Sequence, residues 1–134
     1  MKKYFIAIVD DDRDDREIFE AAFSSNYDNI YFESFTNGPE FLSFINETAD
    51  FPNVIVLDLS MPLMGGMEVL KTLKGNPKTA KIPVVILSGS KNHPDQQMAN
   101  DLGAVYYFQK PVEIIEYSTI ADKIIEKMNK DLMI

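Results

Sequence analysis

An α/β fold built on one parallel sheet is predicted by two observations. Apolar runs at residues 4–9, 54–57, 82–87 and 105–109 recur along the chain, and helical spacing of apolar residues separates them. Unbroken runs suit strands buried on both faces, and strands alternating with helices imply parallel pairing through right-handed crossovers. A third observation concerns function: these runs stop abruptly at Asp10-Asp11, Asp58, Ser88 and Lys110.

The central run is Val54, Ile55, Val56 and Leu57, which leads straight into Asp58, with Pro62 in the following loop. An acid cannot stay in such a core without a partner. It must emerge at the carboxyl edge of the sheet, where open α/β sheets bind ligands.

The first run, residues 4–9, ends in Asp10, Asp11 and Asp12. Asp14 with Glu17 resembles a capping box, so a helix is predicted to start near Asp15, with Ile18, Phe19, Ala22 and Phe23 on its inner face. Residues 24–26 end it. Residues 30–35 mix polar and apolar types, as an edge strand does. Pro39 is placed to open a second helix, with Phe41, Leu42 and Ile45 buried, and residues 51–53 break that helix before the central strand. After Gly65-Gly66, Met67, Val69, Leu70 and Leu73 mark a third helix, stopped by Gly75-Asn76-Pro77. Residues 82–87 form the fourth strand. Pro94 opens a helix to Leu102 with Gly103 as its carboxyl cap, residues 105–109 form the fifth strand, and Ile120, Ile124 and Met128 stripe the last helix. The units fill residues 1–134 as one domain and leave no room for an output domain.

Composition bounds the function. With 46% hydrophobic and 25% charged residues, the chain has the profile of a globular domain. No apolar run approaches the ~20 residues of a membrane helix, no signal peptide is visible, and the lack of cysteine fits the cytoplasm. The net charge of -8 argues against nucleic acid as a partner. Part of the acidity is clustered at Asp10, Asp11, Asp12, Asp14 and Asp15.

In a parallel sheet all carboxyl ends share one edge, so Asp10, Asp11, Asp58, Ser88 and Lys110 converge on one cleft. Carboxylates ~4 Å apart repel by about 4 kcal/mol per pair at an effective dielectric near 20, and a cation relieves this. Hard oxygen donors suit Mg²⁺, while the absence of cysteine and the single histidine, His93, argue against zinc. His93 precedes Pro94 and is read as a loop or capping residue. A lysine and a hydroxyl facing the ion can hold phosphoryl oxygens, and an aspartate can attack phosphorus. The chemistry read from the residues is Mg²⁺-assisted phosphoryl transfer onto Asp58. Asp12, Asp14 and Asp15 are read as acids favouring the helix dipole.

Residues 8–12 (Ile-Val-Asp-Asp-Asp), 54–62 (Val-Ile-Val-Leu-Asp-Leu-Ser-Met-Pro), 85–89 (Val-Ile-Leu-Ser-Gly) and Lys110-Pro111 together resemble the receiver domain of two-component response regulators. The resemblance covers essentially the whole chain. It implies a five-stranded parallel sheet in the order 2-1-3-4-5 with helices on both faces, as in CheY-like and flavodoxin-like folds. It implies Asp58 as phosphoacceptor, Asp11 and Asp58 as direct Mg²⁺ ligands with the Ser60 carbonyl, and Asp10 acting through water. It makes Lys110 the partner of the phosphoryl group, Ser88 the hydroxyl that moves to it, and Tyr107 the aromatic switch. It implies a cis Lys110–Pro111 bond. The implied partners are a sensor histidine kinase or histidine phosphotransfer protein and a downstream protein target.

Three departures stand out. Gly65-Gly66 replaces the common Asp-Gly, with Gly66 still able to enter the helix. Ser88 stands where threonine is frequent, and Val112 replaces the usual aromatic after Lys-Pro. Tyr106 and Phe108 alternate with Tyr107 and are read as packing residues. The apolar tail Leu132-Met133-Ile134 is expected to dock on the last helix, with a homodimer interface as the other option. Lys110 and Ser88 are expected to approach Asp58 from the side away from Asp10 and Asp11. The rivals are an aspartyl-phosphate hydrolase of the haloacid dehalogenase type, which needs an acid where Ser60 stands, and a pseudo-receiver scaffold, which usually lacks one of the acids or the lysine.

Overall fold

The computed structural model describes residues 4–89 and 93–132, with the backbone alone for His93 and residues 131–132. The five strands are β1 (Tyr4–Val9), β2 (Ile30–Phe35), β3 (Val54–Leu57), β4 (Val84–Ser88) and β5 (Tyr106–Gln109). The helices are α1 (Arg13–Ser24), α2 (Gly38–Glu47), α3 (Gly66–Gly75), α4 (His93–Asp101) and α5 (Glu116–Leu132). The sheet is parallel throughout, in the order β2-β1-β3-β4-β5. This is the order that the resemblance implied.

Side-chain alternation divides the core into two layers. Ile6, Ile8, Val54, Val56, Val85 and Leu87 face α1 and α5, packing on Phe19, Phe23, Ile120 and Ile124. Ala7, Val9, Ile55, Leu57, Val84 and Ile86 face the other side, packing on Phe41, Val69, Leu70 and Ala99. Strands covered on both faces need apolar residues at every position, hence the unbroken runs. The edge strands β2 and β5 are the ones not buried along their whole length, as their places at the two sheet edges require.

Several boundaries differ from the sequence reading. Helix α1 begins at Arg13 because Asp12 is its N-cap: the Asp12 carboxylate accepts from the Asp14 and Asp15 amides. No Asp14–Glu17 capping box sets the start. Strand β4 begins at Val84 rather than at residue 82, since Pro83 has no N–H to donate to a ladder. Strand β5 begins one residue late, at Tyr106. Helix α4 begins at His93, one residue before the expected opening at Pro94. It ends where Gly103 adopts φ 100°, the left-handed conformation for which glycine is suited. No peptide bond among the described residues is cis, so Lys110–Pro111 is trans, against expectation. The two isomers of an X-Pro bond differ by only about 0.5–1 kcal/mol, and this chain takes the commoner one. The expected docking of the tail lies outside the described residues.

Candidate functional site

The carboxyl edge gathers its polar residues through strand parity. Asp10, Asp58 and Lys110 follow Ile8, Val56 and Phe108 by two positions, and those three residues pack on the α1 and α5 layer. Their side chains therefore share that side of the sheet. Ser88 and Tyr107 have the opposite parity, and Tyr107 packs with the α2–α3–α4 layer. Backbone bonds fix the strand ends: the Asp10 amide donates to the Phe35 carbonyl at 3.0 Å, the Asp58 amide to the Val9 carbonyl at 3.0 Å, and the Lys110 amide to the Ser88 carbonyl at 2.7 Å.

Asp10, Asp11 and Asp58 each offer a carboxylate oxygen within 4.8 Å of the other two. Asp10 and Asp58 are each 5% exposed, whereas Asp11 faces solvent. The oxygens are not equally engaged. Asp10 Oδ1 accepts from the Asp12 amide at 2.9 Å, and its Oδ2 lies 3.0 Å from Lys110 Nζ. Asp58 Oδ1 accepts from the Ser60 amide at 3.3 Å, and its Oδ2 lies 3.5 Å from Lys110 Nζ. Both Asp58 contacts exceed the usual 2.7–3.2 Å of a good N–H···O bond, by about 0.1–0.3 Å. Asp58 is thus the more weakly held of the two buried acids. Beneath them a cavity of about 10 Å³, edged by Ile8, Phe19, Val56 and Leu87, closes the floor.

Lys110 does not stand on the far side of Asp58 as expected. Its ammonium reaches across to the acids after β1, and its shortest contact, 2.7 Å, is to Asp15 Oδ2. Asp15 stands in the first turn of α1, as the sequence reading placed it, but its contact with Lys110 is one that reading missed. The signal was present: Asp15 precedes Phe19 by four positions and Ala22 by seven, so it belongs to the inward stripe of α1. Asp12 does act as a helix-start acid, and Asp14 is exposed.

Burial raises the pKa of Asp58 to about 6, and the charges of Asp10 and Asp11 add to this against Lys110 and the Ser60 amide. Burial likewise raises that of Asp10, opposed by the Asp12 amide and by Lys110. For Lys110, burial lowers the pKa, but its bonds to Asp15 and Asp10 and the charges of Asp10 and Asp58 outweigh this and raise it. One ammonium among four acids stays charged and leaves the acids short of compensation.

A pH dependence follows for the metal-free protein. The Asp58 pKa rises from 3.8 to about 6 on folding, so the folded state holds the proton more tightly. That stabilisation is complete below about pH 4 and is lost as pH rises through 6, at about 3 kcal/mol for a shift of this size. In chelator, the stability of wild type relative to Asp58→Asn should fall between pH 4 and 7. Chemical denaturation at a series of pH values measures it, and a constant difference across the window would contradict the assignment.

The loop after β3 carries Ser60, Pro62 and the entry to α3. The Met64 amide donates to the Pro62 carbonyl at 2.8 Å across Leu63, whose φ of 71° makes this a γ-turn. Gly66 opens α3 and its amide donates to the Leu59 carbonyl at 2.9 Å, so the loop survives Gly65-Gly66 as expected. Beyond Pro111, Val112, Ile114 and Ile115 are 99%, 68% and 75% exposed and leave an apolar patch beside the site. No helix among the described residues is long and apolar enough to cross a membrane.

Comparisons with known proteins agree with this architecture. The family model for the response regulator receiver domain matches residues 6–122. The chain is 40% identical over 88 residues to a probable cyclic di-GMP phosphodiesterase of Vibrio cholerae, covering 64% of this chain and 20% of that protein. It is 34% identical over 125 residues to the two-component response regulator ORR12 of Oryza sativa subsp. japonica, covering 92% of this chain and 100% of that protein. It spans only about a fifth to a quarter of the first curated relatives it matches, 20% and 25% of two of them. Among solved structures, the phosphorylated cyanobacterial phytochrome response regulator RcpA superposes with a TM-score of 0.87 at 28% identity, with 93% of each chain covered. The Mn²⁺-bound form of response regulator Rcp1 gives 0.82 at 25% identity, covering 90% of this chain and 91% of that one. Acid-lined strand ends, sheet order and a family match spanning most of the sequence agree: the chain belongs to the response regulator receiver domain family.

Proposed function

We propose that this chain is a cytoplasmic receiver that accepts a phosphoryl group on Asp58 with Mg²⁺ and signals through an altered protein-binding surface. The observation that carries the reading is the unequal engagement of the buried acids. Both Asp10 oxygens are tied at 2.9 and 3.0 Å, while those of Asp58 have only contacts of 3.3 and 3.5 Å. A loosely held, buried carboxylate is the one free to attack.

The donor set fits Mg²⁺. Three carboxylates within 4.8 Å supply hard oxygen ligands and no soft ones; Asp11, Asp58 and the Ser60 carbonyl would bind directly and Asp10 through water. Bound Mg²⁺ would offset the acids' charge and hold phosphoryl oxygens. Asp58 attacks phosphorus; the bond from phosphorus to the donor breaks, and the leaving group keeps its electron pair. From a phosphohistidine the leaving group is the imidazole nitrogen, which suits a sensor histidine kinase or histidine phosphotransfer protein. Lys110 steadies the oxygens that gain charge, and Ser88 adds a hydroxyl. Tyr107, across from Ile86 in the β4–β5 register, lies on the way to the α4–β5–α5 face offered to a downstream target.

Intact mass after incubation with acetyl phosphate is the test. One phosphoryl group per chain is expected with Mg²⁺ and none with chelator. Absence of labelling at saturating donor and Mg²⁺ would favour a scaffold that never takes phosphate.

A further inference from the structure

We propose that Asp15 is a positioning residue that competes with the phosphoryl group of Asp58 for the Lys110 ammonium. The inference rests on the phosphoacceptor reading and adds a residue to it. Lys110 Nζ lies 2.7 Å from Asp15, 3.0 Å from Asp10 and 3.5 Å from Asp58. An ammonium has three N–H donors. Asp15 and Asp10 hold two at good distance, and the contact to Asp58 is the poorest of the three. Drawing Lys110 closer to a phosphoryl group on Asp58 therefore works against its 2.7 Å bond to Asp15.

Asp15 cannot readily yield. It stands in the first turn of α1, whose start is pinned by the Asp12 cap. The same stripe of the helix carries Phe19 and Phe23, both buried, and Phe19 meets the ring of Tyr117 on α5 at 6.2 Å. The Asp15 side chain is only 25% exposed, so water screens the pair incompletely. Nor is Asp15 among the three acids that gather round the candidate metal position. Its contact in the site is with the lysine.

Beryllofluoride, a phosphoryl mimic, tests this at equilibrium in saturating Mg²⁺. Asp15→Asn should bind it more tightly than wild type by about three- to tenfold, the range expected when a charge-assisted partner is weakened. Asp15→Glu restores a carboxylate and should return most of the wild-type affinity. Asp14→Asn removes the same charge from the same turn without touching Lys110, and should change affinity by less than about twofold. Unchanged or weaker binding in Asp15→Asn would overturn the proposal, as would an equal gain in Asp14→Asn, which would mean general repulsion. Wild-type protein that takes no beryllofluoride would overturn the phosphoacceptor reading itself, and the role of Asp15 with it.

Discussion

Asp58→Asn should abolish phosphoryl labelling, while Asp12→Asn leaves it largely intact. The two acids differ in what holds them. Asp58 is 5% exposed at the end of β3, and its contacts of 3.3 and 3.5 Å leave its oxygens weakly engaged. Asp12 is exposed and spends its carboxylate on the Asp14 and Asp15 amides. Asparagine caps a helix about as well as aspartate, so Asp12→Asn keeps the α1 start that aims Asp15. In Asp58→Asn the new side chain would retain an acceptor for the Ser60 amide but has no anionic oxygen to attack phosphorus. The variant should also be more stable than wild type in chelator at pH 7, since a carboxyl held at a pKa of about 6 is ionised there at a cost. That gain should approach about 3 kcal/mol. Intact mass and urea denaturation report the two effects separately. Normal labelling of Asp58→Asn would reopen the scaffold and hydrolase readings.

Gly66→Ala should damage the site through the backbone. A Cβ at Gly66 would lie 2.2 Å from the Asp58 carbonyl oxygen, 2.8 Å from Leu59 Cα and 2.9 Å from the Asp58 carbonyl carbon. All three are main-chain atoms, so no side chain can rotate aside. Either α3 retreats or the end of β3 shifts, carrying Asp58 and Ser60 with it. The expected loss is about 2–4 kcal/mol, the scale of overpacking and backbone strain. Mg²⁺ affinity and labelling should fall together, because the moved segment holds the proposed ligands. Gly65→Ala is the control: its Cβ meets only the Leu59 carbonyl oxygen, at 3.6 Å, an ordinary contact. Thermal denaturation and Mg²⁺ titration by amide NMR would compare them. A Gly66→Ala protein matching wild type in both would show that the loop yields cheaply.

Sequence alone determined the alternation of strands and helices, because burial on both faces of a strand leaves the unbroken apolar runs seen at 54–57 and 84–87. It also determined that Asp10, Asp11, Asp58, Ser88 and Lys110 share an edge, since parallel strands put all their carboxyl ends on one side. The start of α3 after Gly65-Gly66 was legible in the helical spacing of Met67, Val69, Leu70 and Leu73, while the role of Gly66 at its entry came from the resemblance. Strand order came only from the resemblance to a family, for no run of residues states which strand lies beside which. Tertiary structure alone decided how one lysine is divided among the acids. That division depends on α1 starting at Arg13 and packing on α5, which turns Asp15 inward to within 2.7 Å of Lys110. An ion pair falls off with distance, and distances between residues remote in the chain are fixed by how helices pack, which sequence spacing within one element does not encode.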